Sequence, residues 1–202
     1  MELTPQVFYP QASSRSRVKI AWPLTFNETL AEIMGMIIHN GKVSRNEDMI
    51  QVRNTSKFFE FEERLTELLQ QIGITLNLKS RYWVGMFQQQ APRISSREFT
   101  ATFLDMLECS RLDQLLGIEK VPKIVKQSPL PIQKAFLDGY LSTCATQWAV
   151  HEGKKYVCVI PYMESFVEEL TTLLAAQGIA CVIMKDYFLT DFGIAFESLE
   201  DT

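Results

Sequence analysis

A chain of 202 residues, 47% hydrophobic and 22% charged, has an ordinary globular composition and length enough for one domain or two small ones. No apolar run approaches the roughly 18 residues of a membrane span, and residues 1–10 lack the basic-then-apolar pattern of a signal peptide, so no membrane partner is expected. A formal charge of −4 argues against a purely electrostatic nucleic-acid binder.

The charge is uneven. Residues 1–104 hold twelve Lys/Arg against ten Asp/Glu, net +2, and residues 105–202 hold eight against fourteen, net −6. Any anion-binding surface is therefore expected in the first half. The four cysteines, Cys109, Cys144, Cys158 and Cys181, form no C-x-x-C pair, and only His39 and His151 could assist them. A structural zinc site is not expected, and the cysteines read as free thiols in a reducing cytoplasm or at the nucleoid.

Residues 1–24, rich in Ser, Arg and Pro, read as an irregular arm. Residues 30–41 read as an apolar helix with Gly35 among bulky neighbours; Glu47 and Asp48 beyond it read as solvated. A strand-like run starts at Ile50. It leads to a helix whose stripe is Phe61, Leu65, Leu68, Leu69 and Ile72, spaced by three and four and stopped by Gly73. Residues 75–84 read as a strand and about 96–116 as an extra helix. Residues 120–131 contain Pro122, Pro129 and Pro131, which forbid a continuous helix, and read as a connection.

The pattern then recurs. Residues 132–145 form a second apolar helix with Gly139, 104 positions after Gly35. A strand-like run at Tyr156 precedes a stripe of Phe166, Leu170, Leu173, Leu174 and Gln177. That stripe is stopped by Gly178, 105 positions after Gly73, and residues 180–189 follow as a strand. A glycine inside a helix costs about 1 kcal/mol relative to alanine. Two at equivalent places in a repeat point to close helix–helix packing. The organisation is an arm (1–24), a first repeat (25–118), a connection (119–131) and a second repeat (132–202).

Several segments fall in a telling order. They are Ala31-Glu-Ile-Met-Gly-Met-Ile-Ile-His-Asn-Gly41, the closure Leu-Leu-Gln-Gln-Ile-Gly-Ile74, the lead-in Val121-Pro-Lys-Ile-Val-Lys-Gln-Ser-Pro129, Ala135-Phe-Leu-Asp-Gly-Tyr-Leu141, and the closure Leu-Leu-Ala-Ala-Gln-Gly-Ile179. In this order, residues 25–196 resemble the LAGLIDADG homing endonucleases of the dodecapeptide, intein and intron type. The resemblance implies an α+β fold of two pseudo-symmetric αββαββ-type repeats packed through paired motif helices, with two antiparallel sheets forming a DNA-binding saddle. It also implies an acid five positions after each motif glycine, holding divalent metal. Those positions are Asn40 and Cys144 here. Magnesium takes oxygen ligands that include carboxylates, and neither an amide nor a thiol replaces them. Metal activation of water and stabilisation of phosphoryl charge are then lost. Asp138 lies on a different helical face from position 144, and His39 reads as a packed or capping residue. The expectation is a protein that is not an enzyme and holds neither metal nor cofactor.

Alternation sorts the strand residues by face. Gln51 and Arg53 oppose Ile50 and Val52; Thr75, Asn77, Lys79, Arg81 and Trp83 oppose Leu76, Leu78, Ser80 and Tyr82; Lys42 and Arg45 flank the first motif's turn. With Lys57 added, the expected nucleic-acid-binding set is Lys42, Arg45, Gln51, Arg53, Lys57, Asn77, Lys79 and Arg81. The resemblance makes this the groove-facing surface. At the 105-residue offset the second half offers Tyr156, Cys158, Ala180, Val182, Met184 and Asp186. Apart from Asp186 these form an apolar face suited to a protein partner or a second copy. Three readings follow: a non-cleaving binder of duplex DNA that works as a regulator or adaptor, a protein-interaction module on a retired nuclease scaffold, and an RNA-binding maturase. Bacterial regulators carry a similarly degenerate domain, but no helix-turn-helix is visible here. Intein splicing is not expected, since the chain ends lack its nucleophile and His-Asn pair.

Overall fold

The computed structural model describes residues 6–9, 20, 22–43, 49–52, 58–74, 81–84, 87–90, 93–108, 118, 120–151, 154–160, 164–185 and 192–197. The chain divides into two compact units. One comprises residues 1–118 and 122–143, and the other residues 119–121 and 144–202. The second motif helix thus sits in the unit of the first, so compact units and sequence repeats have different borders.

The first unit opens with β1 (Val7–Phe8), antiparallel to β2 (Leu24–Thr25). Paired strands therefore replace part of the expected irregular arm. Helix α1 (Glu28–Ile37) starts at Asn27, whose Oδ1 accepts from the Leu30 amide at 3.1 Å. Leu30, Ala31, Ile33, Met34, Met36 and Ile37 are all buried, so the helix is enclosed on nearly every side. Strands β3 (Gly41–Val43) and β4 (Ile50–Val52) follow. Helix α2 (Phe58–Gln71) buries Phe61, Leu65, Leu68 and Leu69 and exposes Glu60, Glu63 and Glu67. Arg64 of α2 makes a two-pronged ion pair with Glu32 of α1, at 2.6 and 2.7 Å.

Beyond α2 lie β5 (Arg81–Val84), β6 (Phe87–Gln90), β7 (Arg93–Ile94) and α3 (Arg97–Met106), the last capped by Ser96 Oγ on the Phe99 amide. Helix α3 ends at Met106 with Leu107 as its C-cap, and Glu108 takes a left-handed φ of 52°; residues 109–116 of the expected helix lie outside the described residues. The unit closes with α4 (Lys123–Lys126) and α5 (Leu130–Thr143). The expected connection holds one short helix and the start of another, not a continuous helix, and its prolines lie at the helix starts. Pro122 caps α4, and Pro131 sits in the first turn of α5, where a missing N–H breaks no helical bond.

The second unit holds β8 (Ala145–His151), β9 (Lys154–Ile160), α6 (Glu164–Ala176), β10 (Val182–Lys185) and β11 (Phe192–Glu197). Its antiparallel sheet has the order β10-β11-β9-β8. Helix α6 buries Phe166, Val167, Leu170, Leu173 and Leu174 and packs on β10 and β11, where Ile194 is fully buried. Both halves stop their inner helix alike. Gly73 and Gly178 have φ of 79° and 75°, and each carries paired 6→1 and 5→2 backbone bonds. These are Ile74 N to Leu69 O (2.8 Å) with Gly73 N to Gln70 O (2.9 Å), and Ile179 N to Leu174 O (3.0 Å) with Gly178 N to Ala175 O (2.9 Å).

Candidate functional site

Helices α1 and α5 meet backbone to backbone. A Cβ built on Gly35 would strike Phe136 O and stand 2.6 Å from Tyr140 N; one built on Gly139 would strike Glu32 O and stand 3.1 Å from Glu32 Cα. Only hydrogen fits at either place.

Just past α1, His39 is buried and bonded at both ring nitrogens. Nε2 lies 3.0 Å from Ile118 O and Nδ1 2.9 Å from the Tyr140 hydroxyl. A carbonyl only accepts, so Nε2 carries the proton of the neutral ring and Nδ1 accepts from tyrosine. Burial pushes this imidazole below its ordinary pKa range, and the bond to Ile118 opposes that shift by less. The ring meets Tyr140 edge-on, with centroids 5.3 Å apart. His39 is a packed residue tying α1 to α5.

Asn40 is also buried, with its amide Nδ2 directed at Met36 O over a long 3.5 Å. Cys144, just past α5 and in the other unit, is buried and belongs to no disulfide. The two positions where the resemblance expects acids thus carry a buried amide and a buried thiol.

The sheet of the first unit has the order β3-β4-β7. Val43, Ile50, Val52 and Ile94 are buried, which fixes the core face. The register places Lys42 opposite Gln51 and Gln51 opposite Arg93, so these three form one cross-strand row on the other face. Strands about 4.8 Å apart give the row a span of about 10 Å. Lys42 is exposed, Gln51 and Arg93 are half-buried, and none of them enters an ion pair among the described residues. Arg93 Nε is buried and has no hydrogen-bond partner among the described residues.

Arg93 is the residue that sequence reasoning missed. A two-residue strand gives little periodicity, and its only signal was Arg93-Ile94 alternation following Pro92. Arg81 lies in a different sheet, the hairpin β5-β6, whose register puts Arg81, Trp83, Gln88 and Gln90 on one face. Arg45, Arg53, Lys57, Asn77 and Lys79 lie outside the described residues.

In the second sheet the face away from Ile194 contains the rows Ala149–Tyr156–Glu197 and Gln147–Cys158–Ala195–Val182, with Met184 opposite Gly193 and His151 opposite Lys154. Lys154 is the one Lys or Arg among these positions. Tyr156, Cys158, Val182 and Met184 therefore share one face, as alternation suggests. Ala180 does not join them: it is exposed, and it precedes β10 instead of lying in a strand. The apolar run of 179–184 extends an alternating pattern beyond the strand that uses it. Ile183, on the opposite face of this edge strand, is 47% exposed. Among the described residues no helix is long and apolar enough to cross a membrane.

This architecture, with glycine-seamed helices and antiparallel sheets, is the LAGLIDADG homing-endonuclease-like fold. Full-length DUF199/WhiA from Thermatoga maritima is similar over 92% of this chain, with a TM-score of 0.55 and 12% identity; the chain spans 55% of that protein's length. The N-terminal LAGLIDADG domain of DUF199/WhiA is similar over 86% of this chain and 76% of its own, with a TM-score of 0.50 and 12% identity. I-DmoI, in complex with DNA and Mn, is similar over 87% of this chain and 92% of its own, with a TM-score of 0.52 and 15% identity. No protein-family model and no curated protein matches the chain.

Proposed function

We propose that this chain binds duplex DNA without cutting it, as a regulator or adaptor, and that the first-unit sheet is the binding face. The observation that carries the reading is the row Lys42–Gln51–Arg93, two cations flanking an amide on the outer face of a three-stranded sheet. The matching face of the second sheet carries one such cation among the described residues, Lys154, beside Glu197 and mostly apolar positions, which supports an electrostatic contact in the first half. The fold likeness to I-DmoI, solved with DNA and Mn, makes duplex DNA the first ligand to try.

Asn40 and Cys144 support the non-cleaving part. A buried amide and a buried thiol supply no negative oxygen for a hard divalent ion. The test is a titration against random-sequence duplex DNA at low and moderate salt with Mg²⁺ present, read by a shift assay and a denaturing gel. The expected result is salt-sensitive binding with intact strands. Cleaved strands would overturn the non-cleaving reading; absence of binding at low salt would overturn the whole.

A second reading, a protein-interaction module, is favoured by one observation. The face bearing Tyr156, Cys158, Val182 and Met184 is composed mostly of small and apolar residues. It predicts self-association or partner capture with no response to DNA. Tighter binding to folded RNA than to duplex would favour the maturase reading.

A further inference from the structure

Three members of one row need not do the same work. Lys42 is exposed and carries a compact charge on a flexible stem, which suits a phosphate oxygen. Arg93 is half-buried, its Nε is closed off from solvent, and that Nε has no partner among the described residues. A guanidinium whose Nε is packed inside the protein has less freedom than an exposed ammonium, and it keeps the planar donor fork that lysine lacks. Gln51 is the cross-strand neighbour of Arg93, on a strand about 4.8 Å away. Successive base pairs rise about 3.4 Å, so neighbouring side chains of the row can address neighbouring pairs.

Resting on the duplex-DNA reading above, we propose that Arg93 is a specificity-determining residue that reads a guanine edge. Gln51 reads an adjacent adenine, and Lys42 contacts the backbone without regard to sequence. The chemistry is that of two-pronged recognition. The arginine fork matches guanine O6 and N7, the glutamine amide matches adenine N6 and N7, and lysine supplies charge alone.

The test is selection from a duplex library with a randomised core, using the full chain as wild type, Arg93→Lys and Lys42→Ala, followed by affinities for the enriched duplex and its single-base variants. Arg93→Lys keeps the charge and removes the fork. It is expected to bind random duplex nearly as wild type does, with the same salt slope, yet to lose a guanine preference of about 5- to 150-fold at one position. Lys42→Ala is expected to keep every preference and to lower the salt slope by about one. A thermal melt of each variant confirms that it is folded. Three results overturn the assignment: wild type that binds but enriches no sequence, Arg93→Lys that keeps the guanine preference, and an Arg93→Ala variant that weakens all duplexes equally with a lower salt slope. Wild type that binds no duplex at all removes the duplex-DNA reading as well, which separates that failure from the other three.

Discussion

Placing a methyl group on Gly35 tests the helix seam by the sign of the effect. In the middle of a helix Gly→Ala ordinarily stabilises by about 1 kcal/mol, since alanine is the better helix former. Here the new Cβ would lie 2.6 Å from Tyr140 N and 3.1 Å from the carbonyl carbon of Gly139, and it would also strike Phe136 O. Carbon needs about 3.5 Å, so α1 and α5 must part by about 1 Å, which forfeits up to half of the dispersion attraction at each separated contact. All three neighbours are backbone and cannot rotate aside. Overpacking of this kind costs about 1–3 kcal/mol. Clashes this short with backbone alone put the cost in the upper half of that range, so after the propensity gain Gly35→Ala is expected to lose about 1–2 kcal/mol, and Tm to fall by about 2–8 °C. Gly139→Ala meets Glu32 backbone in the same seam, so the double variant should lose less than the two single losses combined. Melts followed by circular dichroism and calorimetry decide the matter. A Gly35→Ala protein as stable as wild type, or more so, would refute the close approach.

Stability should also depend on pH through His39. Its folded pKa lies below the ordinary value of 6.5, so between the two the unfolded chain binds the extra proton. The contribution is complete above about pH 6.5 and is lost as pH falls from there toward the depressed folded value, with a slope of at most about 1.4 kcal/mol per pH unit. Chemical denaturation at pH 7.5 and pH 5.5 should show this loss in wild type and a smaller one in His39→Gln; equal losses would exclude His39 as the source. Magnesium should leave the wild-type Tm unchanged, since a ligand held only by the folded state would raise it. A saturable rise would contradict loss of the metal site. Arg53→Ala with Arg81→Ala should weaken duplex binding and lower the salt slope by up to about 2, and unchanged binding would move the interface elsewhere. Gly178 has open space around it but φ of 75°, so Asn should be tolerated there better than Val, a ranking that thermal melts can overturn.

Long periodic segments were legible in the sequence because burial repeats in them. The stripe from Phe61 to Ile72 and the stripe from Phe166 to Leu174 needed only a count of threes and fours, and the glycine after each needed only the rule for left-handed helix stops. The two-residue strands were not legible. Arg93–Ile94 is too short to show a period, and its membership in the sheet depends on pairing with β4, more than forty residues earlier in sequence. For the same reason Arg81 was grouped with Gln51, although Arg81 pairs across β5-β6 with Gln90. His39 could be read as packed, but its partners Tyr140 and Ile118 are brought together only by the fold. The border between compact units was hidden too. A repeat is visible in sequence, whereas the allegiance of α5 to α1 comes from two glycines on separate repeats.

Those glycines and the two positions beyond them answer to different physical demands. At 35 and 139 any side chain collides with backbone, so the architecture itself requires glycine. At 40 and 144 the fold requires no carboxylate. Asn40 is 3% exposed and faces the Met36 carbonyl oxygen, where an ionised acid would meet a lone pair in place of a hydrogen-bond donor. Burying such a charge costs several kcal/mol unless a cation or donor compensates it. An amide directed at Met36 O and a thiol both avoid burying a carboxylate charge, and they leave the helix seam untouched. The fold is therefore compatible with uncharged residues at both positions. The proposed binding row Lys42–Gln51–Arg93 includes neither position, so the proposal separates binding from cleavage on this scaffold.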